Sequence, residues 1–108
     1  MAIWPDWRNT VVFSENGPGV TTLHVSPELK VVLVGLNVGQ ALPAHDGPSA
    51  LFHILEGAGV MVVGSEEVEV AAGATVVVPT GAARGVRATS TLVFLASLGD
   101  PASEHGPH

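Results

Sequence analysis

Apolar and polar residues along this chain alternate in short runs broken by glycine and proline, and no amphipathic 3.6-residue pattern extends for ten residues. Short β-branched or alternating runs bounded by turn residues predict strands. They fall at residues 11–14, 20–25, 30–38, 50–55, 60–63, 66–70, 75–78, 85–89 and 91–98. Glu15-Asn16-Gly17-Pro18-Gly19 and Ser26-Pro27-Glu28 supply the first two turns. The stretch 40–48 is polar, carries two prolines and reads as loop for much of its length. Gly64-Ser65 is a Gly-first two-residue loop suited to a hairpin. In that hairpin Glu67 and Glu69 alternate with Val68 and Val70, which predicts one wet face and one packed face.

Nine short strands at regular spacing fit an all-β sandwich or small barrel. The pattern alone leaves jelly roll, immunoglobulin-like sandwich and closed barrel open. Residues 100–108, DPASEHGPH, lack apolar content and read as a flexible C-terminal tail on a single domain of residues 1–99.

Composition narrows the function classes. Hydrophobic residues make up 46% of the 108 and charged residues 13%, so the body of the chain has a core to bury. The net charge is −6, and the fixed cations are Arg8, Lys30, Arg84 and Arg87. Four scattered cations build no footprint for nucleic acid. No run reaches the roughly 20 apolar residues that span a bilayer, so no membrane partner is expected. The opening MAIWPDWRN does not read as a secretory signal, which makes the cytoplasm the expected location. Without cysteine there are no disulfides or thiolate metal sites.

Residues 73–84 read GATVVVPTGAAR, with the frame G-x5-P-x-G-x2 followed by Arg84. This frame resembles the second conserved motif of the cupin family, where the last position is a metal-binding histidine. Residues 39–57, GQALPAHDGPSALFHILEG, resemble the first motif, G-x5-H-x-H, three or four residues, E, six residues and G. The second motif departs from the family pattern at Arg84 and again at Ala88, where asparagine is usual. Together with the hairpin between them, the motifs cover residues 39–88. The resemblance implies a double-stranded β-helix, a cupin-like jelly-roll barrel.

It also implies a dismantled metal site. Counting from Gly39 puts His45 at the first histidine of the motif and Gly47 at the second. Counting back from Gly57 makes His45 the second histidine, with Pro43 as the first and Ala50 at the glutamate. The second count is preferred, because strand register fixes which side chains face inward. Either way one of the family's four ligand positions survives. Arginine has five donors and no lone pair to offer a metal, and one imidazole does not hold a first-row metal. No metal cofactor is therefore expected. If a divalent transition metal were held, His45 and His53 would be the candidate ligands.

The remaining candidates each have a plain reading beside the functional one. His53 faces away from the core if Phe52 and Ile54 face into it, and so suits a subunit contact. His24 reads as a half-exposed structural residue, Asp46 as a turn former, and His105 and His108 as tail residues without a chemical role. His45 faces the pocket mouth or else bonds backbone carbonyls as an ordinary loop histidine. Arg84 is expected inward with Val86 and Ala88, while Arg87 meets solvent. Its partner is an internal acid (Asp46 or Glu56), an external anion, or water at the rim.

The leading expectation is a metal-independent module that binds a small organic molecule, with His45, Arg84 and Phe52 as ligand-binding residues. A carboxylate held by Arg84 is the natural guess. The alternative is a metal-dependent cupin enzyme of dioxygenase, isomerase or polyketide-tailoring type with an atypical ligand set. A barrel with no ligand is the third reading. The resemblance further implies a homodimer. Trp4-Pro5-Asp6-Trp7 is expected either to pack across a partner or to cap its own barrel.

Overall fold

Alternation along the strands turns one side of each toward a shared interior, and two antiparallel sheets result. The structure, a computed structural model, describes residues 1–99. The tail expected at 100–108 lies outside the described residues. Among the described residues a single 3-10 turn, Trp7–Asn9, precedes nine strands: β1 (Gly19–Val25), β2 (Leu29–Leu36), β3 (Ala41–His45), β4 (Ala50–Glu56), β5 (Ala58–Val63), β6 (Glu66–Ala71), β7 (Thr75–Val78), β8 (Arg84–Ala88) and β9 (Leu92–Gly99). The larger sheet has the order β1-β2-β9-β4-β7 and the smaller β3-β8-β5-β6. All pairings are antiparallel. This is the jelly-roll barrel that the motifs imply. Among the described residues no helix is long and apolar enough to cross a membrane.

The core lies between the sheets. Val32, Val34 and Leu36 of β2, Leu92, Phe94 and Ala96 of β9, and Ala50, Phe52 and Ile54 of β4 face Met61, Val70, Val86 and Ala88 of the smaller sheet. Phe52 and Phe94 meet with ring centroids 5.7 Å apart, tilted by 53°, a favourable aromatic arrangement.

The structure corrects three expectations. Residues 11–14 are not a strand; they contribute one isolated bridge, Ser14 to Gly17. They run instead across the outer surface of the larger sheet, where Gly19 and Gly35 face each other in register. A Cβ on Gly35 would come within 2.6 Å of the Val12 carbonyl oxygen and 2.9 Å of a Val11 methyl. The paired glycines are the track on which this segment lies. Second, much of the stretch 40–48 is strand β3 rather than loop. It is the edge of the smaller sheet, where Pro43 withholds no ladder bond that a neighbour needs. The register shifts between Leu42 and His45. A Cβ on Gly85 opposite would crowd the Ala44 backbone at 2.9–3.0 Å, so glycine there accommodates the irregularity. Third, Val68 is 39% exposed although Val70 is buried. The packed face of the hairpin is confined to its end nearest the core.

Candidate functional site

The motif-two turn forms because Val78 ends β7 in the core and Pro79 cannot continue a ladder. Gly81 then takes φ +84°, a conformation that side chains with a Cβ rarely adopt. Its N–H donates to the Gly47 carbonyl at 2.9 Å. That bond ties the turn at 79–82 to the loop at 46–49 and closes one end of the barrel. From this turn the chain enters β8, and Arg84, Val86 and Ala88 point inward while Arg87 is exposed.

Arg84 is only 3% exposed and is the one charged side chain among the buried residues described. Its Nε donates to the Ala82 carbonyl at 3.1 Å. Its Nη2 donates to the carbonyls of Gly47 at 3.2 Å and Pro79 at 3.4 Å. Nη1 is buried and has no hydrogen-bond partner. The ion pair found among the described residues is Asp6–Arg8, not one with Arg84. Asp46 and Glu56 are both exposed. Two of the expected arrangements for Arg84 are therefore corrected: no acid among the described residues pairs with it, and it does not reach a solvated rim. Backbone carbonyls satisfy its donors in part and leave its charge uncompensated.

His45 sits opposite Arg84 in the β3–β8 register. It is exposed, and its Nδ1 lies 3.2 Å from the Pro43 carbonyl oxygen, placed to donate to it. That contact to a backbone carbonyl is the plain reading of this histidine, here at the end of β3 rather than in a loop. Phe52 is buried against Phe94 in the core. His53 points away from Phe52 and Ile54, on the outer face of the larger sheet, where Nδ1 shares a 2.8 Å hydrogen bond with Thr75 Oγ1. His45 on β3 and His53 on β4 belong to different sheets. Among the described residues no group of three or more His, Cys, Asp or Glu side chains is placed to hold a metal ion. Of Pro43, His45, Ala50 and Arg84, the residues at the family's ligand positions, His45 alone has a donor atom for a metal. The residues present do not fit the group.

Sequence reasoning missed the backbone half of this site. The carbonyls of Gly47, Pro79 and Ala82 hold the guanidinium, and side-chain identity carries no signal for a carbonyl acceptor. Only the glycine–proline frame of the turn pointed to them.

With both motifs on paired strands of a closed jelly roll, comparison with known proteins is decisive. The pattern of the cupin domain matches residues 32–97. The chain belongs to the cupin family. Among solved cupin-like structures, a conserved protein of unknown function from Streptococcus pyogenes is 25% identical, with a TM-score of 0.84 over 94% of this chain and 90% of that one. An RmlC-like cupin from Desulfovibrio desulfuricans is 27% identical, with a TM-score of 0.75 over 82% of this chain and 88% of that one. A mutant form of the salicylate 1,2-dioxygenase of Pseudoaminobacter salicylatoxidans shares the fold at 21% identity and a TM-score of 0.73, covering 83% of this cupin and 29% of that chain. No curated protein matches this cupin.

Proposed function

We propose that this cupin is a metal-independent binding module for a small organic anion, with the guanidinium of Arg84 as its anchor. The observation that carries the reading is the buried Nη1, which has no partner in a charged group lacking any acidic neighbour among the described residues. Placing a lone charge among apolar side chains costs several kcal/mol even after relaxation. A carboxylate would bring the missing charge and accept from Nη1, the geometry for which a planar guanidinium is best suited. Gly47 lies against the guanidinium: a Cβ there would stand 3.6 Å from Cζ and Nη1, so glycine keeps a side chain off that nitrogen. The loop at 46–49 covers the group, and the Gly47 carbonyl, shared by Arg84 Nη2 and Gly81 N–H, helps to tie it to the turn. Exposed His45, opposite Arg84 in the β3–β8 register, stands at the edge of this end of the barrel.

The test is calorimetric titration with acetate, benzoate and salicylate, each beside its uncharged amide. The expected result is saturable binding of at least one carboxylate, no binding of the amide, and loss of binding in Arg84→Met. Equal affinity for acid and amide, or binding retained in Arg84→Met, would sink the reading. Stoichiometric transition metal in the purified protein would replace it with the metal-dependent alternative.

A further inference from the structure

The outer face of the larger sheet holds a concave site that the barrel interior does not share. Residues 4–8 pass over this face and leave a cavity of about 470 Å³ lined by Trp4, Trp7, Leu23, Leu33, Leu55 and Leu95, with Asp6 and Arg8 at its edge. That volume lies within the roughly 300–1,000 Å³ of small-molecule sites. The four leucines come one each from β1, β2, β4 and β9, which are adjacent in the sheet, and so form a row across it. Leu33 and Leu95 are direct partners in the β2–β9 ladder. Strand alternation brings Leu23 and Leu55 to the same face, two residues on from Thr21, the partner of Leu33, and from His53, the partner of Leu95. Each is also the extra residue of a β-bulge, Leu23 between Thr22 and His24 and Leu55 between Ile54 and Glu56.

We infer that this cavity binds an uncharged, fused-ring aromatic molecule carrying a hydroxyl or amino group. The walls are aliphatic below and indole above, which suits a flat ring system. Arg8 covers one face of Trp7, with Cζ 4.6 Å from the ring centroid, so the indole is held in place rather than free to collapse into the space. At the edge, Asp6 Oδ1 accepts from both the backbone N–H and Nη1 of Arg8, at 3.0 and 3.1 Å. Both bonds fall on one carboxylate oxygen, and Oδ2 can accept from a ligand hydroxyl or amine. The two charges at the edge already compensate each other, so a charged ligand would be desolvated without a counter-ion. A second copy of the chain does not fit this place, because residues 4–8 and 11–13 already lie over the sheet here.

Both tryptophans of the chain line the cavity, so intrinsic fluorescence reports most directly on this site. The experiment titrates the full chain with 1-aminoanthracene and excites tryptophan while reading sensitised probe emission. Saturable transfer at one probe per chain is expected. Leu55→Phe, and independently Leu23→Phe, narrows the cavity at the leucine row and should weaken binding by about tenfold or more with the circular dichroism spectrum unchanged. Arg84→Met should leave the titration unchanged, which separates this site from the barrel site proposed above. Absence of saturable transfer overturns the inference, as does undiminished affinity in both phenylalanine variants that fold. Probe displacement that follows protein concentration and dimer formation overturns it in favour of a second copy on this face.

Discussion

Two arginines in this molecule are treated in opposite ways. Arg8 lies on the surface with its side chain 66% exposed, yet it has a carboxylate at 3.1 Å and an indole face beneath it. Arg84 is 3% exposed, has no carboxylate among the described residues, and leaves one nitrogen unpartnered. Water alone would satisfy the first, and nothing among the described residues fully satisfies the second. Surface ion pairs contribute little to stability, whereas an uncompensated buried charge is expensive. The fold therefore places its counter-charge where it matters least, and this inversion is what the anion proposed for the closed end of the barrel would redress.

Reversing the sign of each charge breaks the comparison most strongly. Arg84→Glu sets a buried carboxylate among the carbonyls of Gly47, Pro79 and Ala82 and should cost about 3–5 kcal/mol, read as a fall in the urea midpoint or failure to fold. Arg8→Glu places its charge in water and should leave the midpoint nearly unchanged. Equal losses in both variants would mean that Arg84 is as well solvated as Arg8.

Neutralising Arg84 while keeping its bulk has the next largest effect. Arg84→Met should remove carboxylate binding altogether. It should be neutral or even stabilising by about 1–4 kcal/mol, as found when buried charges give way to apolar side chains. Two of the three carbonyls keep a backbone donor: Gly47 from Gly81 N–H at 2.9 Å and Pro79 from Ala82 N–H at 3.2 Å. A drop in melting temperature in this variant would instead make Arg84 a staple between the two loops.

The two regions are unequally legible in the sequence. Gly73, Pro79 and Gly81 identify a turn by backbone chemistry, and the alternation of Arg84, Val86, Arg87 and Ala88 tells which side chains face inward. What holds Arg84 is illegible, because its partners are carbonyls brought together from residues 47, 79 and 82 by the closing of the barrel. Nor can β3 be read through Pro43, since only its edge position makes that proline harmless. On the outer face, residues 11–14 have the apolar alternation of a strand but pack across β1 and β2 instead of pairing beside them. Their path depends on Gly19 and Gly35 being neighbours in the sheet, a register that one sequence does not display. The cavity beyond them depends on β1, β2, β9 and β4 lying side by side in one sheet, an order that one sequence does not display.

That path offers a smaller perturbation on the surface side of the comparison. Gly35→Ala adds a methyl within 2.6 Å of the Val12 carbonyl oxygen, so residues 11–13 must move outward. The expected cost is about 1–3 kcal/mol of overpacking, with tryptophan emission shifted to the red as residues 4–8 follow. Carboxylate binding at Arg84 should be untouched. A change there would show that the two regions are coupled through the larger sheet.

The smallest effect concerns the ion pair itself. The Asp6 carboxyl is held below its ordinary value of 3.8, chiefly by the Arg8 backbone N–H, with desolvation opposing it and the Arg8 side chain adding to the lowering. A depressed folded-state value contributes stability that is present above the unfolded value and lost as pH falls through the folded one. The contact that orders residues 6–8 should therefore persist as pH drops to about 3.8 and weaken below it. Tryptophan emission followed from neutral to acid pH should show a transition there without global unfolding, and Asp6→Ala should abolish it. A transition of unchanged midpoint in Asp6→Ala would assign it to another carboxylate and leave the pair no part in holding Trp7 over the cavity.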